Sequence, residues 1–274
     1  MATKLLIPFL NPLRLFQTSN DNWDYLKTKD WETGQTYCQK WKKSDIIRMQ
    51  IGVEESTSVQ VYPSFSLLTI DGKYITSLGN TVLLATMGGY KWYECIISLA
   101  TITDGRYIIR MSSVVDTNLL KFYSEPIEIA EAHENTLQFV YSHDENDFDL
   151  IFVPGGNQSN RMFQLRIDGG FSSDGFKPAS LDSMYVDQVH NAVMLSSVPF
   201  NVRTLTIGNS YGIPNWMADK INRIFSCNSV TIDGVAYTKN DGAKLEATRE
   251  SGYASAGWKI DLLESENSYS EIIT

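Results

Sequence analysis

Alternation of apolar and polar residues with a period of two is the feature that most constrains this chain. Ile47, Met49 and Ile51 alternate with Arg48 and Gln50. Phe163, Leu165 and Ile167 alternate with Gln164, Arg166 and Asp168, and Trp258, Ile260 and Leu262 alternate with Lys259 and Asp261. Successive side chains of a strand point to opposite faces, so each run can bury one face and leave the other wet. The turn chemistry agrees. Asp-Gly occurs six times, at Asp71, Asp104, Asp168, Asp174, Asp233 and Asp241, and this pair tolerates the positive φ angles of tight hairpins. The pairs at Asp71, Asp104 and Asp233 are flanked by strand-like runs and predict hairpins.

One segment reads as a helix. Pro214 suits a first turn, and Met217, Ile221, Ile224 and Phe225 fall on one face, with Asp219, Lys220, Asn222 and Arg223 expected on the outer face. Many short strands and a single helix predict a mainly β chain. The expected division is an irregular N-terminal arm over 1–40, a β-sandwich over 41–130, a second β domain over 131–200, and a small α+β unit over 201–274. Arg106 to Met111, then a loop, then Tyr123-Ser124-Glu125-Pro126-Ile127-Glu128-Ile129, resembles the last two strands of a fibronectin type III or immunoglobulin-like domain. The fold class expected is therefore Ig/FnIII-like β-sandwich modules plus the C-terminal α+β unit with its one helix.

Composition removes several function classes. A chain of 274 residues with 43% hydrophobic and 20% charged residues is globular. Its longest apolar stretch, Tyr93 to Ile102, contains Glu94 and falls short of the roughly 18–20 residues a membrane-spanning helix needs, so no membrane insertion is expected. A net charge of −9 argues against sequence-independent nucleic-acid binding, which needs clustered cations. Lys40, Lys42 and Lys43 around Trp41 form one basic cluster, read as a solvated strand end. Cys38, Cys95 and Cys227 are too far apart for a CxxC motif or a disulfide framework. Pro8, Asn11 and Pro12 interrupt the apolar N-terminal stretch, so the chain reads as unprocessed and made in a reducing cytoplasm.

The chemical motifs are thin. Gly208-Asn209-Ser210-Tyr211-Gly212 fits G-x-S-x-G between a strand and the helix, the context of a nucleophile elbow. Ile207-Gly208-Asn209-Ser210 also looks like a variant of the first block of SGNH-type esterases. Both machineries place the catalytic histidine after the serine, and the last histidine here, His190, precedes it. Ser210 therefore reads as a decoy nucleophile in a turn. His133, His143 and His190 suggest no metal site. Asp144 to Asp149 is an acidic turn without the glycine and terminal glutamate of a calcium loop. No phosphate-cradling glycine loop is present. No catalytic residue, metal or cofactor is expected.

Three stretches together carry a family likeness: Tyr37 to Gln50; Tyr123-Ser124-Glu125-Pro126-Ile127 with His133-Glu134-Asn135-Thr136; and Gly212-Ile213-Pro214-Asn215-Trp216 through Ile232-Asp233-Gly234 to Trp258. The combination resembles β-rich virion proteins of tailed phages and prophages of Bacteroides-like hosts, including crAss-like phages. The resemblance implies a structural protein assembled in the host cytoplasm into an oligomeric ring of the tail, collar or baseplate. Its partners would be other copies of itself and neighbouring tail or portal-proximal proteins, and it carries over no catalytic residue. On this reading Trp23 and Trp31 of the arm, and Trp41 at its junction with the sandwich, are possible interface residues, with Trp23 and Trp31 packing on an adjacent subunit. A phage adsorption or carbohydrate-binding module is the alternative, and an SGNH-like esterase using Ser210 the remaining one.

Overall fold

A computed structural model describes residues 5–17, 37–55, 59–115, 118–147, 149–153, 159–186, 188, 190, 192–209, 212–248 and 256–264. The chain is mainly β. Its strands in order are β1 (Leu5–Leu6), β2 (Leu15–Gln17), β3 (Gln39–Lys42), β4 (Ile46–Glu54), β5 (Val59–Thr69), β6 (Tyr74–Leu78), β7 (Thr81–Met87), β8 (Tyr90–Ser98), β9 (Gly105–Val115), β10 (Asn118–Ser124) and β11 (Ile127–Ala130). After these come β12 (Thr136–Ser142), β13 (Phe163–Val186), β14 (Ala192–Ile207), helix α1 (Asn215–Ile224), β15 (Ser229–Ile232), β16 (Val235–Lys239), β17 (Glu246–Thr248) and β18 (Gly257–Glu264).

The first eleven strands make two sheets. One runs β1-β4-β8-β7; in the other, β9 is flanked by β5 and β6 on one edge and by β10-β2 and β11-β3 on the opposite edge. Their apolar faces share one core. The alternating residues Ile47, Met49 and Ile51 of β4 and Cys95 and Ile97 of β8 come from one sheet; Phe65, Leu67, Ile109, Met111 and Ile129 come from the other. The Asp71 hairpin forms as expected, joining β5 to β6 with Gly72 at φ 84°. Asp104 makes no hairpin. β8 ends at Ser98 and pairs with β4 and β7, while β9 pairs with β5, β10 and β11, so the Asp104-Gly105 turn carries the chain from one sheet to the other.

Residues 131–200 and 201–274 are not separate units. The expected boundary at 200 falls inside β14, and the ladder runs β12-β13-β14-β18-β16-β15 and back to β12, every pair antiparallel. The six strands close on themselves as a barrel, and closure removes the open edges of a sheet. Helix α1 packs its Met217, Ala218, Ile221 and Ile224 against Phe139, Leu165, Leu205, Ile232 and Ile260 of the barrel. The Asp233 hairpin forms here, with Asp233 at φ 48° and Gly234 at φ 87°, the two left-handed positions of a type I′ turn.

The described part of the N-terminal arm is built into both units. β1 adds to β4 and β2 to β10. Between them Leu10 enters the barrel core and Leu13 the sandwich core. Asn11 donates to the Gln50 carbonyl at 2.7 Å and accepts from the Gln50 amide at 2.8 Å. A buried ion pair also joins the units: Arg166 of β13 donates to both carboxylate oxygens of Asp45 at 2.7 and 2.8 Å. Lys220, expected on the outer face of α1, is fully buried instead. Its Nζ donates to the Asn11 carbonyl at 2.5 Å and lies 5.4 Å from the Trp216 ring centroid. An amine that can satisfy the Asn11 and Pro12 carbonyls, in the strap between β1 and β2, is drawn inward despite the desolvation penalty.

Candidate interaction surface

β13 and β14 are far longer than the barrel needs. β13 pairs with β12 only over Phe163–Asp168, and β14 pairs with β18 only over Val202–Ile207. Beyond these limits the two strands pair with each other alone, from Pro178↔Asn201 out to Val186↔Ala192. Nine residues at about 3.3 Å each make an arm about 30 Å long. Its two outer backbone edges have no ladder partner among the described residues.

The arm is anchored firmly at its root. Between Phe171 and Phe176 the register shifts, and Gly175 sits so close to the opposite strand that an added Cβ would lie 2.7 Å from Thr204 Cβ. Thr204 Oγ1 and Lys177 Nζ both donate to Asp261, at 2.6 and 3.0 Å. The threonine hydroxyl, helped by the lysine, holds the Asp261 carboxyl below its ordinary range. Arg203 Nε lies 3.0 Å from Glu264, and its guanidinium sits over the Phe176 ring.

Residues directly opposite in a ladder share a face, so the register separates the arm's two surfaces. One carries Ala179/Phe200, Leu181/Val198, Ser183/Ser196 and Tyr185/Val193. It continues the apolar outer pair Val202↔Leu263 of the barrel. Leu181 is 72% exposed and Val198 59%. The other surface carries Ser180/Pro199 and Asp182/Ser197 in its middle, and Asp182 accepts from Ser180 Oγ at 2.9 Å and Ser197 Oγ at 2.6 Å. Met184/Met194 and Val186/Ala192 give this surface an apolar end, and Leu195 is the extra residue of the register shift between the Ser183/Ser196 and Met184/Met194 pairs. Toward its tip the arm exposes apolar side chains on both faces, the kind of patch that makes it a candidate interaction surface.

The residues singled out from the sequence fall elsewhere. Trp23, Trp31 and Ser210 lie outside the described residues. Trp41 is completely buried in the sandwich core, so it offers no surface to another subunit; its neighbours Lys40 and Lys42 take the outer side of β3. The basic cluster is not a free solvated end either. Lys40 Nζ is 2.6 Å from Asp168 across the junction with the barrel, and Lys43 Nζ is 2.7 Å from Asp104.

The turn after β14 is built by glycine. Gly208 and Gly212 have φ of 108° and 77°, and a Cβ on Gly212 would lie 2.5 Å from the Ala256 carbonyl carbon. Asn209 donates to Asp168 at 3.0 Å. A cavity of about 500 Å³ opens beside this turn, lined by Lys40, Glu134, Asp168, Thr206, Gly208 and Asn209 among others, with no histidine among the described residues that line it. His133 contacts the Trp41 carbonyl, and His143 Nδ1 accepts from the Asn228 amide. His190 is exposed at the tip of the arm with φ 66°. All three cysteines are free thiols, and burial pushes Cys38 and Cys227 up to about 12 and Cys95 to about 11, far from the thiolate a nucleophile requires.

Among protein-family models, curated proteins and solved structures, nothing matches this chain.

Proposed function

We propose that the chain is a virion structural protein of a tailed phage that builds an oligomeric ring of the tail, collar or baseplate, without catalysis. The observation that carries this reading is the arm of β13 and β14: anchored, rich in exposed apolar side chains and, among the described residues, without a further strand on either outer edge. A monomeric protein keeps long free strand edges and apolar ladders covered, because they template pairing with other chains. In a closed ring every arm has a neighbour on each side, which meets both edges at once through one repeated heterologous contact. The immunoglobulin-like reading of the sandwich fits the same role, as a rigid outer module fixed to the barrel by Asp45 and Arg166. The partners on this reading are further copies of the chain and adjoining tail or portal-proximal proteins, met during assembly in the host cytoplasm. The Ser180, Asp182 and Ser197 face would then line the ring's inner side, where an acidic, hydroxyl-rich wall repels passing DNA.

Native mass spectrometry and negative-stain microscopy of the whole chain test this directly. A closed ring of many copies is expected, together with its loss when residues 178–201 are replaced by an Asn-Gly turn. A chain that stays monomeric at high concentration, alone and with its neighbouring virion proteins, would overturn it. Dye release from lipid vesicles by the purified chain would also overturn it, by assigning the apolar ladder to a membrane.

A further inference from the structure

The exposed side of α1 faces a second feature that ring assembly does not use. Asn215, Asp219 and Asn222 are spaced i, i+4 and i+7, which stacks them in one stripe along the helix. Opposite the stripe runs the turn through Ala243, Lys244 and Leu245, and Trp258 of β18 lines the groove between them. The groove encloses about 350 Å³, within the usual range of small-molecule sites, which recur at barrel ends.

We infer that this groove binds a pyranose sugar, with one face of the ring against the Trp258 indole and its hydroxyls on the α1 stripe. Trp258 alternates with Ile260 and Leu262 on the core-facing side of β18, yet it stays only partly buried. A flat indole held by a barrel strand is a rigid apolar platform that loses little side-chain freedom on binding. The rim supplies both donors and acceptors. Asn222 Oδ1 accepts from Lys239 Nζ at 2.8 Å, which fixes the amide and leaves its NH2 group to donate. Asp219 gives one carboxylate oxygen to Arg223 at 3.1 Å and keeps the other as an acceptor. Asn215 can donate and accept, and Lys244 donates.

The charges on the rim select against other ligand classes. Asp219 is balanced by Lys244 across the groove and by Arg223 on its own helix, so the rim offers no net attraction to an ion of either sign, and the polar stripe disfavours an apolar guest. A neutral polyhydroxylated ring, whose neighbouring hydroxyls both give and take hydrogen bonds, fits the pattern. The ion pair and the Lys239 bond set the rim before a ligand arrives, which lowers the ordering cost of binding. None of the residues that line the groove belongs to the arm.

Saturation-transfer NMR and tryptophan fluorescence with the methyl glycosides of glucose, galactose, mannose, fucose and N-acetylglucosamine at millimolar concentration provide the test. At least one probe should bind saturably to the whole chain. Asp219→Ala and Asn222→Ala each remove an exposed rim group, and both should weaken that probe at least tenfold without altering the thermal midpoint. Trp258→Phe should quench the fluorescence response while keeping partial affinity. No saturable binding by any of the five probes to folded wild-type chain would overturn the inference. Equal affinity in the wild type and both rim variants would overturn it as well, by placing the sugar elsewhere.

Discussion

Asp45 is buried, and its carboxylate takes four hydrogen bonds: two from Arg166, one from Gln138 Nε2 and one from the Lys42 amide. Removing one partner of such a pair strands the other charge away from water, at a cost of about 3–5 kcal/mol. Asp45→Ala should therefore lower the unfolding free energy by that amount in urea. Arg106→Ala breaks the exposed pair with Glu128 and should cost under about 1 kcal/mol. Equal effects would mean that the junction between sandwich and barrel contributes nothing to stability. Lys220 makes a different prediction. Burial lowers its ammonium to about 7 from an ordinary 10.5, with Glu125 opposing and Arg14 adding to the shift. Between those pH values the unfolded chain holds a proton that the folded chain has lost, so stability rises with pH across the interval and is lowest below pH 7. Lys220→Met removes this dependence. The stability of the wild type relative to Lys220→Met should climb from pH 7 to pH 10, at no more than about 1.4 kcal/mol per pH unit, the limit for one proton; a flat difference would show that Lys220 is not buried as a titrating amine.

At the scale of single elements, two glycines with similar backbone angles separate conformational cost from steric cost. Gly234, at φ 87°, has nothing within 4 Å of an added Cβ, while Gly212, at φ 77°, would press one into the Ala256 backbone at 2.5 Å. Gly234→Ala should cost about 1 kcal/mol, the penalty of a left-handed angle alone. Gly212→Ala should cost several times that, because backbone on both sides must move; thermal denaturation of the two variants side by side reads the contrast. These turns also show what is legible in the sequence. The Asp71 and Asp233 hairpins and the helix after Pro214 are written in local chemistry, and each forms. Asp104-Gly105 carries the same local chemistry but joins two sheets, since the pair specifies a bend and not the strands it connects. Barrel closure is hidden for a related reason. The pairing of β12 with β15 and of β14 with β18 is set by long-range packing, which no window of residues contains. Lys220 has the periodicity of an outer-face residue, while its partners are strap carbonyls some two hundred positions away, so the sequence alone misplaces it.

For the whole molecule, the arm matters because it is legible as strand and illegible as surface. Leu181, Val198, Tyr185 and Val193 have the composition of any half-buried ladder; only the three-dimensional fold leaves them uncovered. Their exposure separates assembly from folding. Leu181 and Val198 form one cross-strand pair, and neither belongs to a core cluster of the barrel or the sandwich. Leu181→Asp with Val198→Asp puts two carboxylates in the middle of the ladder, where neighbouring arms would have to desolvate them, at several kcal/mol per subunit contact. In a ring that penalty repeats at each contact, so the doubly substituted chain should be monomeric at concentrations where the wild type is assembled. Its thermal midpoint as a monomer should match that of wild-type monomer, because the substituted pair is already in water there. Sedimentation velocity of both chains over a concentration series measures the first quantity and calorimetry the second. Unchanged assembly would mean that the ladder is not the contact. A large drop in the midpoint would mean that the arm folds back on its own barrel in solution, so that its apolar face is satisfied within one chain.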